Sequence, residues 1–346
     1  MHSVTTHTIY WESGGYASSP SYKATINGFL DQLASVSGTT SNLYALDTQY
    51  CDTSGPISYS QTFGGALSDT SPYPTRGCTG PSGHPCVQDP EIKTELRRLV
   101  KASKLKTGLS DLYFVLLPPG VYTCLHVRQG TCSFKSTEDI CGFHGYSGKA
   151  SSTIVYAVLP EAASVPVTGC DQHQRPNGNG NEGADATLNT LEHEQNEAIT
   201  DPTLLGWSEG GGHEIGDKCN ETFGQPLGGA PGAFFDQVVG EGNYWLQLEW
   251  SNATHGCAGQ PPAAVVVYQP AQPKAGEGIA FDGSLSTAAA GSITSYAWTF
   301  GDGQSGSGRQ VVHSYSALGA YWVGLTVRDT NGLTESSYRE VGVAKP

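Results

Sequence analysis

Along the first half of the chain, apolar and polar positions switch between two rhythms. "HTIYW" at 7–11 is a nearly continuous apolar run ended by the turn-rich "ESGGYASSP", the pattern of a buried strand. The next apolar residues are Tyr22, Ile26, Phe29, Leu30 and Leu33, a helical spacing with Pro20 near its start. "NLYALDTQY" at 42–50 returns to a strand-like pattern. A polar, Gly- and Pro-rich stretch at 52–88 carries Cys78 and Cys86 and reads as a stapled surface loop. Asp89-Pro90-Glu91 opens a second helix with a cap, a proline in the first turn and acid at the positive end of the dipole. Ile92, Leu96, Leu99 and Val100 form its buried face. "DLYFVLLP" at 111–118 and "STIVYAVLP" at 152–160 do not alternate, so both of their faces are covered and the strands are central. Between them lies a loop with Cys124, Cys132 and Cys141. Strands interleaved with helices in this order predict an α+β domain, a mixed sheet covered by helices.

The texture changes after "AGQPPAA" at 258–264, which reads as a linker. Short alternating strands follow in "AVVVYQP", "GIAFDGS", "ITSYAWTFGDG", "YWVGLTVRDTNG" and "YREVGV", and the "DTNG" at 329–332 gives a tight hairpin turn. The expected organisation is an α+β domain over 1–258, a linker at 259–263 and an all-β sandwich over 264–346.

The chemistry concentrates on one predicted helix at 186–200, capped by Asp185 and stopped by Pro202. It carries "HEQNE" at 193–197, which begins as the H-E-x-x-H signature of zinc peptidases but has Glu197 where the second histidine would stand. At about 100° per residue, His193, Glu197 and Asp201 share an arc of roughly 80° with Glu194 beside it. Leu188, Leu191, Ala198 and Ile199 occupy the opposite side. Such a two-faced helix suits the floor of a metal cleft; the competing reading is a solvated acidic helix.

A catalytic zinc takes three protein ligands and keeps one position open, and carboxylate oxygen is an accepted ligand beside imidazole. His193 and Glu197 are one turn apart, and Glu194 is the general base of such a motif. The third ligand is expected from "GWSEGGGHEIGDKC" at 206–219, with Asp217 favoured, Glu214 next and Asp201 weaker. Cys219 could pin that segment through a disulfide. A carboxylate in place of imidazole lowers the Lewis acidity of the ion and admits harder metals such as manganese or calcium. His126, His144, His173 and His255 read as loop or packing residues.

Other strings carry less. "GNGNEG" at 178–183 matches a dinucleotide fingerprint but follows no strand. Asn177, Asn179, Asn181 and Asp185 alternate as a weak calcium loop would, and a flexible loop is the plainer reading. "HGYSGK" at 144–149 lacks the spacing of a nucleophile elbow. Glu194 and Glu214 form the carboxylate pair of a glycosidase alternative.

Composition narrows the setting. Of 346 residues, 18 are Lys or Arg against 32 Asp or Glu, and the resulting charge of −14 disfavours nucleic acid and anionic membranes as partners. Nine cysteines without C-x-x-C spacing suit scattered disulfides in an oxidising compartment, with one thiol left over and the pairing open. No apolar run is long enough to span a bilayer and no leader is visible, so a mature secreted protein is expected. Oligomeric state is open.

Two stretches resemble known families. "FDGSLST", "YAWTFGDG" and "HSYSALGAYWVGLTVRDTNG" make 262–346 similar to a PKD (polycystic kidney disease) domain. That resemblance implies an immunoglobulin-like sandwich with Trp298 in its core, often appended to secreted bacterial hydrolases and adhering to protein or polysaccharide polymers. "HTIYW", "YALDTQY", "FGGALSDT", "HEQNEAITDP", "GW" and "EIGDKC" make 5–258 similar to secreted bacterial proteins related to the plant phosphate-induced/EXORDIUM family. The plant relatives lack the His-Glu pair and are associated with cell-wall growth. The order of elements also resembles the zincin metallopeptidases, with Glu197 and the missing H-x-x-G-x-x-H extension as departures. The leading expectation is a secreted zinc endopeptidase with Glu194 as catalytic base. The rivals are a non-catalytic wall- or matrix-binding protein with a structural cation, and the glycosidase.

Overall fold

The computed structural model describes residues 1–39, 42–134, 140–167, 169–176, 182–259, 261–288, 292–330 and 333–345. The loop with Asn177, Asn179 and Asn181, most of "GNGNEG", and the Asn331-Gly332 step of the hairpin turn lie outside them. The chain divides into two compact units, one made of Met1–Thr39 and Tyr44–Cys257, the other containing Ala258–Pro346.

The first unit is built on a five-stranded sheet. Its strands are β1 (Val4–Trp11), β2 (Gln61–Asp69), β3 (Asp111–Leu117), β4 (Phe143–Ser147) and β5 (Ile154–Pro160), in the spatial order β2-β1-β3-β5-β4. The first four in that order run parallel, and β4 closes the sheet as an antiparallel edge. Every residue of β3 and β5 is buried, as their unbroken apolar runs require of central strands.

Three helices pack around it: α1 (Pro20–Ser35), α2 (Asp89–Ser103) and α3 (Glu182–Thr200). Helix α1 buries Tyr22, Ile26, Phe29, Leu30 and Leu33, the residues that its spacing singles out. Helix α2 buries Ile92, Leu96 and Leu99, with Val100 partly covered. Its N-cap is Gln88, in a capping box with Glu91, which moves Asp89 into the first turn, where it accepts from Lys93 Nζ at 2.7 Å.

Three local expectations fail for physical reasons. Residues 42–50 form no strand: Leu43–Gln49 is a 3-10 helix, and Leu43 and Leu46 are buried three residues apart, its own repeat. The 52–88 stretch is more than a loop, because β2 lies within it. Gly64 and Gly65 conceal that strand in the sequence, and Gly64 is there for close approach, since a Cβ on it would sit 2.2 Å from His7 Cε1. Helix α3 starts at Glu182, so Asp185 is its fourth residue and not its cap.

Four disulfides join Cys78 to Cys86, Cys124 to Cys132, Cys141 to Cys170 and Cys219 to Cys257, leaving Cys51 free and exposed.

The second unit holds two antiparallel sheets. One is made of Val267–Gln269, Ile279–Asp282 and Gln310–His313; the other of Ser305–Ser307, Ile293–Thr299, Gly319–Asp329 and Thr334–Val343. Phe281, Trp298, Phe300, Tyr315, Val323 and Leu325 fill the space between them. Trp298 is fully buried and donates Nε1–H to the Gly308 carbonyl at 2.9 Å, the core role expected of it.

Candidate metal centre

Helix α3 is not a solvated acidic helix. Its described residues are buried almost all round, with Leu188, Leu191, Ala198 and Ile199 among core residues. Several of its polar side chains find partners in the interior: Gln195 donates Nε2–H to Gln61 Oε1 at 2.6 Å and accepts from Tyr44 OH at 3.1 Å. Thr187 Oγ1 accepts from the Ala162 amide at 3.0 Å. A helix with modest apolar content can sit in the interior because these partners replace water.

The helix packs against β5 and the edge strand β4, and a cleft of about 900 Å³ opens beside it. All of β4 lines this cleft, and His193, Glu194, Glu197, Glu214 and Asp217 lie along it.

His193 and Glu197 meet across one helical turn, Nε2 to Oε1 at 3.1 Å. Asp217 Oδ1 stands 3.8 Å from the same His193 nitrogen. The loop that brings it is fastened at several points. Asp217 N–H donates to Glu197 Oε1 at 3.1 Å, Trp250 N–H donates to the Ile215 carbonyl at 3.1 Å, and Cys219 is tied to Cys257. Gly216 lies flat on the His193 ring, so close that a Cβ there would be 2.9 Å from Nδ1. His193, Glu197 and Asp217 thus offer three ligand atoms within 4.8 Å of one another.

Glu214, the other candidate for the third ligand, stands elsewhere. Its Oε1 is 3.6 Å from Nε2 of His144. His144 corrects the sequence reading, which set it among loop and packing histidines. It sits on β4, buried, with Nδ1 3.5 Å from Glu194 Oε2 and 3.4 Å from Glu197 Oε2. The signal for it was weak: Gly148 makes a turn at positive φ before the apolar run of β5, which marks 143–147 as a hairpin partner. Only pairing with β5 brings the imidazole over α3.

Asp201 leaves the arc predicted for it. Its Oδ1 accepts from the amides of Leu205 and Gly206, both at 2.6 Å, and caps the turn after Pro202. Two further acids went unnoticed in the sequence. Glu192 and Glu249 are fully buried, and near enough that the charge of Glu192 raises Glu249.

Burial sets the electrostatics. It works against charge on His193 and His144, but the neighbouring glutamates outweigh it and push both pKa values well above the usual imidazole range. Burial alone would raise Glu197 too, yet the two imidazoles hold it far below an ordinary carboxyl. Burial raises Glu194 against the pull of His144, and takes Glu214 up to about 8. Two imidazoles and four carboxylates converging in a cleft form a donor set for divalent metal, in which neutral imidazole and carboxylate oxygen suit zinc or manganese.

Comparison with known proteins bears on the second unit. The PKD domain family matches residues 259–343. Residues 259–343 are a PKD domain. In that region the chain is similar to a microbial collagenase of Vibrio alginolyticus, 35% identical over 100 residues, and to collagenase ColA of Clostridium perfringens, 38% identical over 69 residues. These matches cover 29% and 20% of this chain, and the chain spans only 11% and 6% of those collagenases. The PKD1 domain of Vibrio anguillarum Epp is 33% identical, covering 25% of this chain and 98% of that one, with a TM-score of 0.23. The PKD domain and the four disulfides thus stand as expected. No helix among the described residues is long and apolar enough to cross a membrane.

Proposed function

We propose that the chain is a secreted, divalent-metal-dependent hydrolase, with zinc endopeptidase as the reading the site supports best. The observation that carries it is the convergence of His193, Glu197 and Asp217 on one point of a deep cleft, with Glu194 beside them. Those three residues would hold the ion, which supplies Lewis acidity and acidifies water when bound. Glu194 takes a proton from the attacking water on its carboxylate. Burial raises its pKa, which suits a base working near neutrality. His144 Nδ1 faces the same carboxylate, 3.5 Å from Oε2.

Residues 1–258 read as a zincin-like catalytic domain, 259–263 as a linker and 264–346 as the appended sandwich. Strand β4 ends the sheet and lies along the cleft, so an extended peptide could add to it as a further strand. That favours a peptide over a sugar. The PKD domain would hold the enzyme on an extracellular protein or polysaccharide polymer; the similarity of this region to collagenases supports a fibrous protein. Four disulfides support an oxidising, extracellular setting.

The test is metal analysis of the purified full chain beside cleavage of gelatin and fluorogenic peptides. His193→Ala should lose bound metal, and Glu194→Gln should lower turnover by about 10²–10⁴-fold. Full activity in Glu194→Gln would end the general-base assignment. A metal-loaded protein that cleaves nothing yet binds fibres would instead be a matrix-binding module with a structural cation, for which calcium is a candidate.

A further inference from the structure

The two oxygens of Glu197 face different histidines. Oε1 is 3.1 Å from His193 Nε2, and Oε2 is 3.4 Å from His144 Nδ1. Each oxygen belongs to its own trio of potential ligands, His193–Glu197–Asp217 on one side and His144–Glu194–Glu197 on the other. From this we infer that the cleft takes two first-row divalent cations, bridged by Glu197, with His144 and Glu194 completing the second site. The inference rests on the one-ion reading above and adds an ion to it; Glu194 would bind that ion through Oε2, the oxygen facing His144, and keep Oε1 for the proton it takes as base.

Spacing supports it. Ligands bonded tetrahedrally to one ion at about 2.0–2.2 Å lie about 3.3–3.6 Å apart. A direct charge-assisted hydrogen bond from imidazole to carboxylate is shorter, about 2.7–2.9 Å. His144 Nδ1 stands 3.5 Å from Glu194 and 3.4 Å from Glu197, too far for a good ion pair with either and right for sharing an ion with both.

Charge gives a second argument. Bound metal displaces the protons held on both imidazoles, and with Glu194, Glu197, Glu214 and Asp217 then ionised their charges sum to −4. One divalent ion leaves −2 in a largely buried group; two leave none, and buried charge is tolerated only when compensated.

The far side of His144 gives a third. Its Nε2 and Glu214 Oε1 are both buried, 3.6 Å apart, and neither has a hydrogen-bond partner among the described residues. If Nδ1 binds an ion, the ring proton must reside on Nε2, where the Glu214 carboxylate faces it. This is the outer-sphere carboxylate that metal-bound histidine commonly has, and it gives Glu214 a role other than ligand.

The experiment is zinc stoichiometry by equilibrium dialysis and elemental analysis on the full chain after chelation. Wild type should retain two ions per chain. His144→Ala and Asp217→Ala should each retain one, with circular dichroism confirming that the variants fold. Two manganese ions in the wild type should also be spin-coupled by electron paramagnetic resonance, a readout that needs no variant. One ion in wild type, unchanged in His144→Ala, overturns the second site and leaves the one-ion reading standing. No bound ion overturns both. Two ions that survive His144→Ala, or two uncoupled manganese signals, place the second ion elsewhere and also overturn the inference.

Discussion

The Asp217 amide donates to Oε1 of Glu197 at 3.1 Å, so the loop is fastened to the helix by one of the proposed metal ligands. Glu197 therefore does two things that a histidine in its place would do poorly. It accepts this N–H on one oxygen and keeps a second oxygen towards His144. Glu197→Gln retains an acceptor but loses the charge. We expect its fold to persist and its zinc affinity to fall by at least about 10-fold, measured by competition with a chromogenic chelator. Unchanged affinity would remove Glu197 from the ligand set.

Gly216 is held against the His193 ring, and its carbonyl accepts from Gln247 Nε2 at 3.1 Å. A methyl group there would meet Nδ1 at 2.9 Å, closer than side-chain carbons are found, so the ring or the loop must shift. Gly216→Ala should turn the imidazole and reduce metal affinity by about 10–100-fold with only a small loss of Tm. Metal affinity equal to wild type would show that the loop adjusts freely.

Cys219 and Cys257 close a separation of 38 residues next to Asp217. Losing a disulfide of this span costs about 2–5 kcal/mol. Cys219→Ser should lower Tm in thermal melts and weaken zinc retention at temperatures below the melt, because the bond also fixes the Asp217 loop. If Tm falls and zinc retention does not, the loop is held by its hydrogen bonds alone.

Glu192 and Glu249 predict a pH dependence. Burial, and for Glu249 the nearby Glu192, raise both well above the ordinary carboxyl pKa. Unfolded glutamates titrate near about 4.3. Above that pH the unfolded chain has lost protons that the native pair retains, so the native state binds more of them and stability falls as pH rises. Glu249→Gln should flatten this decline between about pH 5 and 8 in urea unfolding of metal-free protein. A slope equal to that of wild type would mean that the pair is ionised in the native state.

Much of this was legible in the residues themselves. The unbroken apolar runs of β3 and β5 announce central strands, because only a strand covered on both faces can lack polar positions. The spacing of Tyr22, Ile26, Phe29, Leu30 and Leu33 likewise announces α1. His193 and Glu197 needed only the pitch of a helix to become neighbours, and the sandwich declared itself through its regular strands and turns. These are properties of the local backbone, and periodicity reports them directly.

What lay hidden depends on contacts distant in sequence. Strand β2 takes its place by pairing with β1, a partner about 50 residues away that its own Gly-rich residues do not announce. His144 acquires its place when β4 pairs with β5, although it stands 50 residues ahead of the Glu194 that it faces. Asp217 and Glu214 come from one short loop yet face different histidines, a choice made by the Cys219–Cys257 bond and the hold on Gly216. The sequence by itself determined which residue types were available and which lay one helical turn apart. Tertiary packing alone decided which of those groups share a cleft, because burial and distance arise only once separate elements are brought together.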